Sequence, residues 1–138
     1  LRIAQEGSIF AIPAAKLGLG YRIEGLKPFV DLVGPATAKE VFFTAKRFSA
    51  EEAMAMGMVD RVMPRSVFDA FVEDYAQSIA ANAPLTIRAV KICVAESLKN
   101  DPDLALAQRV VDECFASEDY IEGRTAFMEK RTPQFKGR

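Results

Sequence analysis

The chain has 138 residues, 50% of them hydrophobic, which suits one compact domain or part of a larger one. Its 18 basic and 19 acidic residues leave a net charge of −1, so the chain offers no broad basic surface to nucleic acid or to an anionic membrane. The absence of histidine removes the base of Ser–His–Asp and Cys–His sites and the commonest zinc ligand. We therefore expect no bound metal, no nucleic-acid partner and no membrane partner.

Segments that direct a protein to a membrane or out of the cell are not evident. No apolar run reaches the ~20 residues of a membrane helix, and no basic segment precedes a signal-like apolar run. Cys93 and Cys114 fall within helical patterns, which indicates two buried thiols rather than a disulfide or a metal pair. These features predict a reducing compartment and a cytoplasmic protein.

The first residues are predicted to be extended. Two short strand-like segments, residues 1–4 and 8–12, are separated by a turn at Gly7. Leu1 already lies inside the first of these patterns and is not preceded by an initiator methionine. We therefore expect the chain to be a fragment that lacks an upstream part of the protein.

A glycine-rich loop, AIPAAKLGLGYRIEG at residues 11–25, follows the second strand. It contains three glycines, Gly18, Gly20 and Gly25. Beside them lie a potential acid, base and cation in Tyr21, Glu24 and Arg22. Its G-x-G-x-x-x-x-G spacing differs from the dinucleotide fingerprint, and no Lys-Ser/Thr pair completes a P-loop. We expect no NAD(P) and no flavin. From the residues alone, an ordinary strand-to-helix turn with solvated charges and a functional loop both remain open.

Capping and helix-breaking residues indicate the next helices. Apolar spacing predicts a helix from Leu26 to a stop at Gly34, with the next helix opened by Pro35. Ser49 with Glu52 three residues later is typical of a capping box, and a short strand is predicted at 58–62.

After Pro64 the chain is predicted to be almost entirely helical. Apolar stripes occur at positions 67, 71, 75 and 79 and at 87, 90, 94 and 98, with Pro84 at the first position of the second helix. A third helix restarts after Pro102, and Ser117 caps a last one that runs to about Arg131. The predicted class is α/β, with short strands followed by a mainly helical C-terminal region.

Four segments in this order resemble the second half of the crotonase (enoyl-CoA hydratase/isomerase) superfamily. They are "LRIA…FAIPAAKLGLG", "GPATAKEVFFTAKRFSAEEAMAMGMVDRVMP", "IAANAPLTIRAVK" and "SEDYIEGRTAFMEKRTPQFKGR". The resemblance implies the C-terminal part of a crotonase fold, with the upstream half missing. Residues 1–63 would then end the ββα core and carry the active-site loop, and residues 64–138 would form a helical region for oligomerisation and coenzyme A contact. It also implies a homotrimer or a dimer of trimers.

The resemblance further implies chemistry on acyl-CoA thioesters, with coenzyme A as part of the substrate and no tightly bound cofactor. Members stabilise an enolate in an oxyanion hole of two backbone N–H groups, both of which would lie upstream of Leu1. Hydratases place a catalytic glutamate directly after the proline of an F-x-x-P segment. Here Phe10 and Pro13 are followed by Ala14, which cannot transfer a proton, so the departure puts simple hydration in doubt.

One branch of the superfamily, the methylmalonyl-CoA decarboxylases, is similar in this loop and in the tail, and its catalytic tyrosine falls on Tyr21. A phenol is a neutral hydrogen-bond donor near pH 7 and could hold a substrate carboxylate while carbon dioxide leaves. Tyr21 could equally be a packing residue beside the turn. Glu24, with Arg22, is the weaker catalytic candidate, because such residues are commonly a solvated pair or helix-start charges.

The resemblance also implies substrate-binding residues. Pro13, Ala14, Leu17 and Gly18 match the wall of the acyl-pantetheine pocket, and Phe127 and Lys130 match the family's aromatic and lysine near the nucleotide and a coenzyme A phosphate. Lys130 could instead complement the dipole of the last helix. Because the oxyanion hole would lie upstream, activity of the fragment itself is left open. The function is either an acyl-CoA-transforming enzyme or a non-catalytic coenzyme A-binding or assembly module.

Overall fold

The computed structural model describes all residues, Leu1–Arg138. The chain divides into two compact units, Leu1–Glu73 and Asp74–Arg138. The first unit holds all the strands and two helices, and the second is built from helices and a C-terminal tail. Helix α3 (Phe68–Ala80) includes the boundary between the units. The division of roles predicted after residue 63 stays a prediction.

Two small sheets organise the first unit. Strand β1 (Ile3–Gln5) pairs in parallel with β4 (Arg61–Met63), and β2 (Ile9–Phe10) pairs antiparallel with β3 (Phe48–Ser49). Both predicted N-terminal strands exist but differ in length or register from the expected ranges. The second is shorter because its partner ends where the next helix starts, so only two residue pairs form.

Helix α1 (Ile23–Thr44) begins one turn earlier than predicted and contains a break. Gly34 has φ of 78° and ψ of 163°, so two helical segments meet at the predicted stop, and Pro35 opens the second one. The apolar pattern did not predict the start at Ile23, because Ile23 is exposed and therefore does not extend the buried apolar stripe.

Helix α2 (Ala50–Ala55) starts at the predicted capping box. The Ser49 hydroxyl accepts the Glu52 N–H at 3.2 Å, and the Glu52 carboxylate accepts the Ser49 N–H at 2.8 Å. The helix packs its alanines into a small apolar cluster under β1 and β4, which contains Ala4, Ala50, Ala53 and Val59. Burial of small side chains brings the helix backbone close to the sheet and holds the first unit together.

The second unit consists of α4 (Pro84–Ser97), α5 (Leu104–Phe115) and α6 (Glu118–Glu129), followed by a tail to Arg138. Pro84 is at N1 of α4 and Ser117 is the N-cap of α6, as predicted. The third helix starts after Pro102, as predicted, and Asp103 caps it: its carboxylate accepts the Leu106 N–H at 2.8 Å. No single helix is long and apolar enough to cross a bilayer, although α3 and α4 taken together would qualify by length and composition alone.

In the second unit, the buried and exposed faces of α4 differ from those that the sequence pattern predicts. Val90, Val94 and Leu98, three members of the α4 stripe, are exposed, whereas Ala89 and the carboxylate residue Glu96 are buried. Cys93 and Cys114 are free thiols, but each is half-buried rather than buried. Helical spacing identified the apolar face of α4, but it could not show whether another part of the chain covers that face.

Candidate functional site

The loop after β2 is held by backbone hydrogen bonds. Pro13 precedes a short 3-10 turn over Ala14–Leu17, and Gly18 ends this turn with φ of 63°, in the left-handed region that favours glycine. The N–H groups of Gly18 and Leu19 both bond to the Ala14 carbonyl. Ala14 is therefore fixed and buried, whereas the Leu17 side chain is 72% exposed.

Tyr21 lies against helix α1. Its ring meets Phe42 edge to face, with centroids 4.8 Å apart, and a Cβ added to Gly25 would stand 3.3 Å from the Tyr21 Cε1 atom. Gly25 therefore leaves the space that the ring occupies. The residue is still 46% exposed, and its hydroxyl makes no hydrogen bond within the chain. Packing fixes the ring while the polar end stays available, so the two interpretations of Tyr21 are compatible.

Arg22 and Glu24 form no pair in the structure. Arg22 is the N-cap of α1, where its carbonyl accepts the N–H groups of Gly25 and Leu26. Glu24 lies in the first turn, where its charge complements the helix dipole. No ion pair joins the two residues, and the catalytic role of Glu24 stays a prediction.

The second group of candidates lies at the end of α6. Phe127 is 83% exposed, and Lys130 is the C-cap residue with φ of 56° and ψ of 39°. A side chain other than glycine in this left-handed conformation costs about 1–2 kcal/mol. The turn is closed by the N–H groups of Lys130 and Arg131, which reach the carbonyls of Phe127 and Ala126. Strain at a position where glycine is common is one indication of a functional side chain.

Two carboxylates on α6 hold the tail that follows this turn. Glu122 accepts both terminal nitrogens of Arg131, at 2.6 and 2.9 Å, and the Gln134 N–H at 2.8 Å. The Arg131 guanidinium lowers the pKa of Glu122 to about 2, with help from the Gln134 N–H. One turn earlier, Asp119 is 4% exposed and accepts the N–H groups of Lys136 and Gly137 at 2.6 and 2.7 Å.

These tail contacts were not predicted from the sequence. Asp119 and Arg131 are both used to hold the returning chain. The available signal was a pair of acidic residues three apart, followed by arginine beyond the helix end. Lys130 has no carboxylate partner, whereas Arg131 pairs with Glu122 and Glu129, and Arg138 pairs with Glu118.

An apolar groove of ≈ 600 Å³ also lies in the second unit. Its walls come from α4, α5, α6 and the tail, and they include Ala89, Cys93, Phe115, Tyr120, Phe127 and Phe135. Phe135 is held there by the tail contacts and stands over Gly123, where an added Cβ would be 3.4 Å from its ring. No group of three potential metal ligands occurs in the chain.

The candidates thus fall into two groups, each within one unit. The first unit carries one group between β2 and the first turn of α1: Pro13, Ala14, Leu17, Gly18, Tyr21 and Glu24. The second unit brings Phe127 and Lys130 together on the last turns of one helix.

Comparison with known proteins gives one consistent result. The family model described as enoyl-CoA hydratase/isomerase matches residues 1–138. The short-chain-enoyl-CoA hydratase of Clostridium acetobutylicum is 34% identical over 141 residues, covering 100% of this chain and 54% of the relative. The carnitinyl-CoA dehydratase of Salmonella typhi is 33% identical over 146 residues, covering 99% and 54%.

A solved structure has the same fold. The enoyl-CoA hydratase of Bacillus anthracis superposes with a TM-score of 0.86 at 30% identity, covering 100% of this chain and 54% of that one. The predicted crotonase fold is thereby confirmed, and the chain spans about half the length of the curated relatives it matches. Taken with the match of the family model over its whole length, this places the chain in the enoyl-CoA hydratase/isomerase family, the crotonase superfamily that its sequence resembles.

Proposed function

We propose that the protein containing this chain transforms acyl-CoA thioesters through an enolate intermediate. The observation that carries the proposal is the family match over residues 1–138, with relatives named as enoyl-CoA hydratase and carnitinyl-CoA dehydratase. In this proposal the upstream half supplies the two N–H donors that stabilise the enolate oxygen. The loop of the first unit supplies the groups near the acyl carbons.

Decarboxylation is the second candidate, and it is favoured by two residues of the loop. Ala14 brings no proton-transferring group after Pro13, and Tyr21 is 46% exposed, with a hydroxyl that has no partner within the chain. In the proposed step this hydroxyl donates a hydrogen bond to the substrate carboxylate. The bond between that carboxylate and the α-carbon breaks, its electron pair forms the enolate, carbon dioxide leaves, and the α-carbon then takes a proton.

For the coenzyme A part of the substrate we propose the end of α6. Lys130 has no carboxylate partner, and it projects from a strained backbone turn beside the exposed Phe127. A lysine ammonium binds phosphate through charge-assisted hydrogen bonds, and an aromatic ring offers a flat apolar surface to a base. In an oligomer this lysine would serve the coenzyme A of a neighbouring subunit.

The proposed assembly is a homotrimer or a dimer of trimers that also contains the upstream half of the protein. It is supported by large apolar side chains left exposed in the second unit, among them Leu98, Phe115, Phe127 and Met128. A mass spectrum of the intact natural polypeptide tests for the upstream half, and light scattering of the purified protein gives the number of subunits. A monomer at micromolar concentration would contradict the proposed assembly.

The enzymatic proposal is tested on the intact protein with two substrates, a short enoyl-CoA and a malonyl-type CoA ester. Loss of the enoyl absorbance measures hydration, and release of carbon dioxide measures decarboxylation. Turnover of either ester supports the enzymatic proposal, and carbon dioxide release without hydration supports the role of Tyr21. Coenzyme A binding without turnover of any ester identifies a binding module, and failure to bind coenzyme A overturns the proposal.

A further inference from the structure

The chain reverses direction at Lys130 and runs back along α6. Glu122 binds Arg131 and the Gln134 N–H, and Asp119 binds the N–H groups of Lys136 and Gly137. The Asp119 N–H itself donates to the Arg138 carbonyl at 3.1 Å. The two carboxylates lie one helical turn apart on the same face, so they track successive residues of the returning tail.

The contact nearest to Lys130 is the one made by Glu122. Its two short bonds to the Arg131 guanidinium are paired, with one terminal nitrogen on each carboxylate oxygen, the arrangement in which arginine binds carboxylate with the most directional restraint. Arg131 also donates to Glu129 at 2.7 Å, so the residue immediately after Lys130 is held from two positions of α6. The left-handed backbone of Lys130 lies between these fixed residues and the helix.

We propose that Glu122 is a positioning residue for Lys130: by binding Arg131 and the Gln134 N–H, it fixes the reversed backbone from which Lys130 reaches a phosphate of coenzyme A. This inference rests on the proposed coenzyme A contact of Lys130. Asp119 extends the same restraint along the tail, whereas Glu122 acts on the turn itself.

Electrostatics alone would give Glu122 the opposite effect on binding. A carboxylate near a phosphate site repels the ligand, so neutralising it should tighten the binding of an anion. Neutralising Glu122 would also free the Arg131 guanidinium from this carboxylate, and by charge alone that change too would favour an anion. If Glu122 positions Lys130, its neutralisation instead weakens binding, because the fixed turn is lost. The sign of the change in affinity separates positioning from charge.

The experiment measures the dissociation constant of coenzyme A for the intact full-length protein by calorimetric titration. We expect Glu122→Gln to weaken binding about tenfold with kcat little changed. Glu118→Gln is the matched control, because it removes the same charge from the same helix and breaks only the pair with Arg138, whose Nε lies 3.0 Å away. We expect Glu118→Gln to leave the affinity unchanged or slightly higher.

Two further variants secure the interpretation. Arg131→Lys keeps the charge but cannot form the paired contact, so it should weaken coenzyme A binding like Glu122→Gln, even if the latter variant does not fold. In a Lys130→Ala background, Glu122→Gln should change the affinity less than about twofold, since the residue acts through Lys130.

The outcomes distinguish this inference from the proposal on which it rests. If Lys130→Ala weakens binding while Glu122→Gln and Arg131→Lys leave it unchanged or tighter, the positioning role is overturned and the phosphate contact stands. If Lys130→Ala binds coenzyme A as tightly as the unchanged protein, the phosphate contact itself fails. Full coupling in the double variant supports both.

Discussion

The loop at residues 11–25 and the segment at residues 117–138 hold their candidate residues by different kinds of contact. In the loop, Tyr21 is held by ring packing, and no side-chain hydrogen bond restrains Arg22 or Glu24. In the tail, carboxylates of Glu122 and Asp119 bind a guanidinium and backbone N–H groups over bonds of 2.6 to 2.9 Å. The loop presents free polar groups, and the tail presents a fixed backbone.

Under the proposed function, this difference suits two kinds of task. A group that binds a phosphate benefits from being fixed before the ligand arrives, because less conformational freedom is lost on binding. A group that acts on the reacting atoms must keep its hydrogen-bonding capacity for the substrate, so a hydroxyl without an internal partner is the more useful arrangement. Changes in the loop are therefore expected to alter kcat, and changes in the tail to alter affinity.

The largest expected effect is on turnover through Tyr21. In the full-length protein, Tyr21→Phe keeps the ring contact with Phe42 and removes the hydroxyl, so kcat for a malonyl-type CoA ester should fall roughly 10²-fold or more. Thermal stability should barely change. Tyr120→Phe is the control, since that ring also makes an edge-to-face contact, with Phe115, and is similarly exposed. Unchanged turnover with a lower melting temperature would make Tyr21 a packing residue and end the decarboxylase interpretation.

The next effect concerns affinity through Lys130. Lys130→Ala should weaken coenzyme A ester binding in the full-length protein by about 1–3 kcal/mol, as expected for loss of a charge-assisted hydrogen bond to phosphate. Folding should be little affected because the side chain is exposed and unpaired. Equal affinity in a calorimetric titration would assign Lys130 to the helix dipole alone.

A smaller effect on turnover is expected from Gly25→Ala, which tests whether the position of the Tyr21 ring matters. The new Cβ would lie 3.3 Å from the Tyr21 Cε1 atom, so the ring must shift by a few tenths of an ångström. We expect kcat to fall about tenfold, since small displacements of a reacting group are costly. Alanine favours the helix over glycine by up to about 1 kcal/mol, so a loss of activity would not be explained by unfolding. Unchanged kcat would show that ring position is not critical.

The smallest effect is on stability and separates strain from packing. Lys130→Gly relieves the left-handed backbone and should stabilise the protein by about 0.5–1 kcal/mol, even as affinity for coenzyme A falls. Ala45, with φ of 45°, is the matched position, but it is buried. Ala45→Gly loses a packed methyl worth about 0.8 kcal/mol, so its net effect should be near zero. Denaturant titration measures both, and a destabilised Lys130→Gly variant would contradict the assigned strain.

The sequence alone determined where most helices begin and break. Capping and breaking residues act through backbone groups within four residues, so their effects can be predicted without knowledge of the rest of the chain. They are Ser49 with Glu52, Pro84, Ser117 and Gly34. The family resemblance likewise depended on the order of short segments, and it identified the fold before any contact was known.

Only the tertiary structure decided which faces are covered and which side chains meet. The α4 stripe at Val90, Val94 and Leu98 has helical spacing, yet it is exposed in this chain. The Tyr21–Phe42 contact joins residues that are far apart in the sequence, and the Glu122–Arg131 pair forms only because the chain turns back at Lys130. Local propensity acts over a few residues, whereas burial and long-range pairing depend on how distant segments are brought together, and that is fixed only when the whole chain packs.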